Sequence, residues 1–162
     1  MSEFGERTQP PSADRPGVER IADIFGGPKV LKRKLKDPLD AHELLLRGLP
    51  GAALTHLVGR LPLLRDPAAL QSAFGMTLRT LQRHKVNPAK PLSPQQSGRA
   101  WKFAEILARV TAALGSGVAA EEWFERPAIG LNRRRPIELL STPAGVEMVE
   151  SYLTRIEYGV YT

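Results

Sequence analysis

Four prolines of this chain directly follow a side chain that can cap a helix. An Asp, Ser or Thr oxygen accepts a hydrogen bond from an unpaired N–H of the first helical turn, and proline at the first helical position needs no N–H partner. Each pair therefore predicts the start of a helix, and the fourteen prolines do not exclude a helical fold. The pairs are Asp37-Pro38, Asp66-Pro67, Ser93-Pro94, which Gln96 extends to a capping box, and Thr142-Pro143.

Apolar residues at helical spacing follow each of these starts. We predict helices over 38–47, from about 50, from 67, over 94–114 and over 143–156. Short helical pieces are predicted from about 77 and over 119–124 and 136–140. The basic segment 29–36 fits either an extended piece or a helix, because its lysines alternate with other residues while Leu31 and Leu35 lie four residues apart. No segment predicts a strand convincingly, so we expect an all-α fold.

The composition excludes several classes of protein. The 162 residues include no cysteine, which rules out disulfides, thiolate metal sites and cysteine nucleophiles. No run of about eighteen apolar residues occurs and the N-terminus has no apolar signal segment, so we expect a cytoplasmic protein without a membrane span. Residues 1–20 are rich in Pro, Ser, Gly and charge, and we expect them to form a disordered arm.

No group of residues in the sequence has the pattern of a catalytic or metal site. The three histidines are not paired at metal-ligand spacing. The FGGP sequence at 25–28 lacks the Gly-Lys-Ser/Thr of a phosphate loop. Glu121 and Glu122 are adjacent, so on a helix they point about 100° apart and form a poor acid–base pair. We therefore expect neither an enzyme nor a bound cofactor.

The net charge of +6 is concentrated in one central segment. Residues 67–104 contain no Asp or Glu but hold six of the 23 basic residues, and the other 17 are matched by 17 acidic residues. A block of one sign attracts a polyanion such as nucleic acid. A solvated face without a partner is the alternative. The basic residues of this block are Arg79, Arg83, Lys85, Lys90, Arg99 and Lys102.

The same segment contains a helix-turn-helix pattern, PAALQSAFGMTLRTLQRHK. We expect Gly75 to end the first helix in a left-handed conformation, Thr77 to cap the second, and Leu78 and Leu81 to face the core. In this motif the second helix lies in the major groove of DNA, where Arg pairs with guanine and Gln with adenine. An ordinary helical hairpin with a basic surface is the alternative. The predicted DNA-contacting residues are Thr77, Arg79, Thr80, Gln82, Arg83, His84, Lys85 and Lys90, and Arg99 is a further predicted phosphate contact.

The last predicted helix is apolar on more than one face. One row at three- and four-residue spacing runs from Val146 to Ile156, and Met148 and Tyr152 form a second row. The second row fits either a wide stripe within one core or a surface that meets another chain. The helix leads into EYGVYT, where Gly159 frees the backbone and tyrosines are suited to anchor an interface.

Several of these features occur together in one known family. The sequence EEWFERPAIGLNRRRPIELLSTPAGVEMVESYLTRIEYGVY at 121–161 resembles the C-terminal domain of the Xre/MbcA/ParS antitoxin family. The resemblance is carried by Trp-Phe before a proline, by RPIELLST, by Gly145 and by RIEYGVY. Upstream, Gly48-Leu49-Pro50 and TLQR at 80–83 resemble the Xre-like N-terminal domain of that family. The chain departs from the pattern at Asn132-Arg133-Arg134, where relatives often have small residues or glycine.

The resemblance implies a helix-turn-helix domain at 21–114 followed by a small helical toxin-binding domain at 118–162. It implies a type II antitoxin that covers the active-site entrance of a RES-domain toxin, an enzyme that depletes NAD, and a homodimeric repressor that binds operator DNA. A helix-turn-helix regulator without a toxin partner is the alternative. The implied toxin-facing residues are Leu153, Arg155, Ile156, Glu157, Tyr158, Gly159, Val160 and Tyr161.

Overall fold

The computed structural model of the chain describes residues 16–159, which form ten α-helices and two short 3₁₀ turns. Within this part of the chain, β pairing is limited to two isolated bridges, and the prediction of an all-α fold is confirmed. The helices are α1 (Val18–Ile24), α2 (Pro28–Leu31), α3 (Pro38–Arg47), α4 (Gly51–Arg60), α5 (Pro67–Phe74), α6 (Leu78–Val86), α7 (Pro94–Leu114), α8 (Gly117–Glu125), α9 (Pro136–Leu139) and α10 (Pro143–Glu157). The 3₁₀ turns are Pro62–Arg65 and Ile129–Leu131.

Three of the four predicted proline caps form. Asp37, Ser93 and Thr142 each accept a hydrogen bond from the backbone N–H three residues later, at 2.9 to 3.1 Å. Gln96 accepts a bond from the Ser93 N–H in return, which completes the capping box. Asp66 also precedes a helix, but its side chain makes no capping bond. The helices that start after Asp37 and Ser93 have the predicted bounds.

The folded part of the chain begins earlier than predicted. Helix α1 starts at Val18, inside the segment that we expected to be a disordered arm, and it buries Ile21 and Ala22. The two buried residues supply the apolar area that a helix needs to form. The start of the fold is therefore corrected to Val18, and residues 1–15 of the expected arm lie outside the described residues.

The ambiguous basic segment 29–36 is partly helical. Helix α2 ends at Leu31, and Lys32 then takes a left-handed φ of 61°, which stops the helix. Leu31 and Leu35 are both buried, so the segment is held to the core at two points. Periodicity could not decide between the two structures because the segment changes conformation in its middle.

One hydrophobic core runs through both halves of the chain. Helix α7 contacts α1, α3 and α5 of the N-terminal half and α8 and α10 of the C-terminal half. A series of aromatic rings follows the same path. Phe74 of α5 meets Phe103 of α7 at a centroid distance of 5.3 Å, Phe103 meets Phe124 of α8 at 5.2 Å, and Trp123 stacks on Tyr152 of α10 at 6.1 Å. The turn after Leu114 therefore divides the sequence but not the core.

Candidate functional site

The helix-turn-helix forms from α5, a tight turn and α6. Gly75 adopts the predicted left-handed conformation, with φ 64° and ψ 34°. Thr77 caps α6 as predicted, because its Oγ1 accepts a hydrogen bond from the Thr80 N–H at 3.2 Å. Met76, between these two residues, is buried. The turn is therefore anchored in the core by one side chain and closed by backbone bonds on both sides.

The buried face of α6 differs from the prediction at two positions. Leu81 is buried as expected, but Leu78 is 45% exposed, so the prediction that it faces the core is wrong. His84 is only 5% exposed, so the prediction that it faces DNA is wrong. The physical reason is the close packing of α6 on α4. A Cβ added at Gly51 of α4 would lie only 2.9 Å from Nδ1 of His84. Burial lowers the pKa of His84 below its ordinary value of 6.5.

The opposite face of α6 is basic and exposed. Arg79, Gln82, Arg83 and Val86 lie at positions i, i+3, i+4 and i+7, so they share one side of the helix. Together with Asn87 and Lys90 these four residues line a surface depression of about 420 Å³. Lys85 is exposed as well, and within residues 16–159 none of these basic side chains forms an ion pair.

Two residues of this depression were not predicted, and one predicted contact lies elsewhere. The side chain of Val86 is exposed, and its spacing of seven residues from Arg79 is the sequence signal that could have identified it. Asn87 carries no comparable signal. Arg99 was expected to bind phosphate, but its guanidinium donates hydrogen bonds to the backbone carbonyls of Ser72 at 2.6 Å and Gln71 at 3.4 Å. These carbonyls belong to the last turn of α5, so Arg99 caps that helix within the chain.

The chain departs from the family pattern at a turn with left-handed backbone. Asn132 and Arg133 both have positive φ values, 53° and 62°, in the region that glycine adopts most easily. Arg135 then forms a 3.0 Å ion pair with Glu138, and this hydrogen-bonded pairing lowers the pKa of the Glu138 carboxyl. Arg134 is exposed, as expected for a solvated residue.

Helix α10 packs against the rest of the C-terminal part through a glycine and an aromatic ring. Gly145 is buried against the backbone of Leu139 in α9, so closely that a Cβ would overlap the Leu139 carbonyl oxygen. Tyr152 lies over Gly130, where a Cβ would come within 2.6 Å of the ring. Of the predicted second apolar row, Tyr152 therefore packs within the chain, whereas Met148 is exposed.

The end of α10 divides the predicted toxin-facing residues into two groups. Leu153 is 1% exposed, so the prediction that it contacts a partner is wrong, because it belongs to the core. Glu157 is also turned inward, to Arg109. By contrast, Tyr158 is 66% exposed, and Gly159 follows it with a φ of 68°. Arg155 and Ile156 are half-buried, with the Arg155 guanidinium 5.7 Å from the Tyr152 ring centre, and Val160 and Tyr161 lie outside the described residues.

Among residues 16–159, no group of His, Asp and Glu side chains is arranged to hold a metal ion. In the same range no single helix is long and apolar enough to cross a membrane. Helices α7 and α8 reach that length and apolar content only when taken together, and they are bent by 113° with respect to each other.

Comparison with known proteins gives two family matches that follow each other along the chain. Residues 40–105 match the antitoxin Xre-like helix-turn-helix domain, and residues 109–159 match the antitoxin Xre/MbcA/ParS C-terminal toxin-binding domain. The first match contains α5 and α6, and the second runs from Arg109 to Gly159.

Two curated relatives agree with these matches. The antitoxin Xre of Pseudomonas putida is 30% identical over 82 residues, which is 51% of this chain and 51% of that protein. The antitoxin Xre of Yersinia enterocolitica is 30% identical over 96 residues, which is 59% of this chain and 64% of that protein. The matched part of this chain thus spans about half of the first relative's length and just under two thirds of the second's. Both relatives are antitoxins, in agreement with the expectation of a protein that is not an enzyme. The chain thus contains an antitoxin Xre-like helix-turn-helix domain followed by an antitoxin Xre/MbcA/ParS C-terminal toxin-binding domain.

Proposed function

We propose that this chain is the antitoxin of a type II toxin–antitoxin system, that it occludes a RES-domain toxin that depletes NAD, and that it represses its own operon as a homodimer. The observation that carries the proposal is the end of the toxin-binding domain match, where the exposed Tyr158 and Gly159 follow α10. The mechanism is steric, since a segment that fills the entrance of an active site excludes the substrate without any chemistry of its own.

The residues at the end of α10 have properties that suit an interface. Tyrosine combines a large apolar area with a polar tip and few rotamers, so ordering it on binding costs little conformational entropy. Gly159 has the positive φ that lets the chain turn away from the helix axis. Arg155, Ile156, Tyr158 and Gly159 are thus the described residues that we assign to the toxin interface, and Val160 and Tyr161 continue the same segment.

The basic face of α6 supports the proposed binding to operator DNA. Arg79, Gln82 and Arg83 are exposed side by side and can reach base edges, while Lys85 and Lys90 are placed to contact phosphates. The exposed Val86 on the same face offers an apolar contact for a thymine methyl group. A homodimer would present two such helices to half-sites that lie about 34 Å apart along the DNA.

Deletion of residues 158–162 tests the toxin interface. We expect the truncated chain to lose neutralisation of its proposed RES-domain toxin partner, measured as growth on co-expression, while DNA binding stays nearly intact. The matched control is Arg83→Ala, which should weaken DNA binding and leave neutralisation unchanged. A truncated chain that still restores growth contradicts the proposed interface. A full-length chain that binds its operator but neutralises no toxin supports the alternative of a regulator without a toxin partner.

The salt dependence of operator binding tests the DNA interface. The logarithm of affinity should fall with the logarithm of salt concentration, with a slope of about −0.9 for each phosphate contact. Arg79→Ala or Arg83→Ala should cost about 1–3 kcal/mol of binding free energy if that residue reads a base. Arg126→Ala is the control, because Arg126 is an exposed arginine at the end of α8, outside the basic segment. Equal affinities for all three variants and the wild type would refute the assignment of α6.

A further inference from the structure

A buried ion pair joins α7 to the last turn of α10. Arg109 lies on α7 and is 9% exposed. Its Nε donates a hydrogen bond to Glu157 Oε1 at 3.0 Å, and its Nη2 donates to Glu157 Oε2 at 2.9 Å and to Thr154 Oγ1 at 3.1 Å. The hydrogen bond to Glu157 raises the pKa of Arg109 above its already high value, so the guanidinium carries its charge at every relevant pH. Bidentate pairing of this kind fixes orientation as well as distance.

The position of this pair gives it an influence on the segment that follows. Glu157 is the last residue of α10, directly before Tyr158 and Gly159. The backbone N–H groups of those two residues bond to the carbonyls of Thr154 and Ile156, at 3.1 and 3.0 Å. The end of a helix frays readily because its final carbonyls lack partners within the helix. A side chain that ties the last turn to α7 therefore opposes fraying of the turn that precedes Tyr158.

We propose that Arg109 is a positioning residue for toxin binding, which holds the last turn of α10 through Glu157 so that Tyr158 and Gly159 leave the helix in one direction. The inference rests on the proposed function. A preorganised segment loses less conformational freedom on binding than a frayed one, and affinity rises accordingly. Glu157 then acts through Arg109 rather than through a contact of its own with the toxin.

The same two helices offer a matched control pair. Lys102 and Glu150 lie seven residues before Arg109 and Glu157, and their side chains form a 3.3 Å ion pair between α7 and α10. This pair is more exposed and lies two turns away from the end of the helix. Lys102→Gln therefore removes an ion pair between the same helices without releasing the last turn of α10.

The test compares Arg109→Gln, Glu157→Gln, the double variant with both changes, Arg109→Lys and Lys102→Gln in the full chain. The readouts are the Kd for the purified RES-domain toxin that is the proposed partner, and the hydrogen exchange of the amides of residues 157–159 in the absence of toxin. The double variant leaves no buried unpaired charge, so it remains informative if either single variant fails to fold. Operator affinity reports whether the rest of the fold is intact.

We expect each Gln variant at the buried pair to raise the Kd about tenfold, and the double variant to raise it by no more than that, because both residues act through one interaction. Hydrogen exchange at residues 157–159 should accelerate in the same variants. Arg109→Lys should bind the toxin more tightly than Arg109→Gln does, and the Kd of Lys102→Gln should stay within about twofold of the wild-type value. The inference is overturned if the double variant raises the Kd by the product of the two single increases, or if the single variants have the wild-type Kd. Wild-type protein that binds no RES-domain toxin refutes the proposed function itself, which distinguishes the two failures.

Discussion

A methyl group added at Gly145 should destabilise the C-terminal part of the protein by about 2 kcal/mol. In the structure a Cβ at this position would overlap the carbonyl oxygen of Leu139 and lie 2.8 Å from its carbonyl carbon. The obstacle is backbone, which cannot rotate away as a side chain could, so α9 and α10 must separate. Overpacking of a well-packed site costs about 1–3 kcal/mol. Alanine gains up to about 1 kcal/mol over glycine within a helix, which offsets only part of that cost.

Thermal unfolding of Gly145→Ala measures this cost directly. For a chain of this size, about 2 kcal/mol corresponds to a Tm lower by roughly 4–8 °C. Gly98→Ala is the control, because Gly98 lies inside α7 and a Cβ there would meet no atom within 4 Å. The control should therefore be as stable as the wild type or gain up to about 1 kcal/mol. A Gly145→Ala protein that melts at or above the wild-type temperature would show that α9 and α10 do not pack as described.

Two further predictions concern the DNA-binding half. Burial lowers the pKa of His84, so as the pH falls below 6.5 this histidine binds a proton in the unfolded chain before it does so in the folded one. The free energy of unfolding should therefore fall with pH below 6.5, by at most about 1.4 kcal/mol per pH unit from this residue. Urea unfolding at pH 7.5 and 5.5 should show that His84→Gln loses less unfolding free energy between the two pH values than the wild type does. An equal loss would contradict the lowered pKa of His84. Arg99→Gln should cost about 1–2 kcal/mol of stability, because the last carbonyls of α5 lose their donor, and it should leave the salt slope of DNA binding unchanged. A slope that becomes shallower by about 0.9 would instead identify Arg99 as a phosphate contact.

The features that local chemistry determines could be predicted from the sequence. A helix start requires only a capping oxygen and a proline at the right spacing, so Asp37 and Ser93 predicted the starts of α3 and α7. A left-handed turn residue requires little more than a glycine after an apolar helix, which located Gly75. The absence of acidic residues from the central segment predicted a basic surface, and α6 carries that surface in the structure.

The features that depend on packing between distant elements could not be predicted in this way. On α6 the spacing of Leu78, Leu81 and His84 is three residues throughout, so either Leu78 or His84 can accompany Leu81 into the core. The choice depends on α4, where Gly51 leaves room for the imidazole of His84. Arg99 is a similar case, because its partners at the end of α5 lie more than 25 residues before it.

At the end of α10, residues that are neighbours in the sequence face different surroundings in the structure. The family resemblance implies toxin contact for Leu153 and for the whole RIEYGVY motif at 155–161, but successive residues of a helix point about 100° apart. Leu153 and Glu157 are four residues apart and share the inner face, where one enters the core and the other meets Arg109. Tyr158 follows the helix and is exposed. The pairing of Glu157 with Arg109 joins residues 48 positions apart, so no local pattern contains it. The motif therefore combines residues that hold the end of the helix with residues that we assign to the partner, and only the three-dimensional structure separates the two.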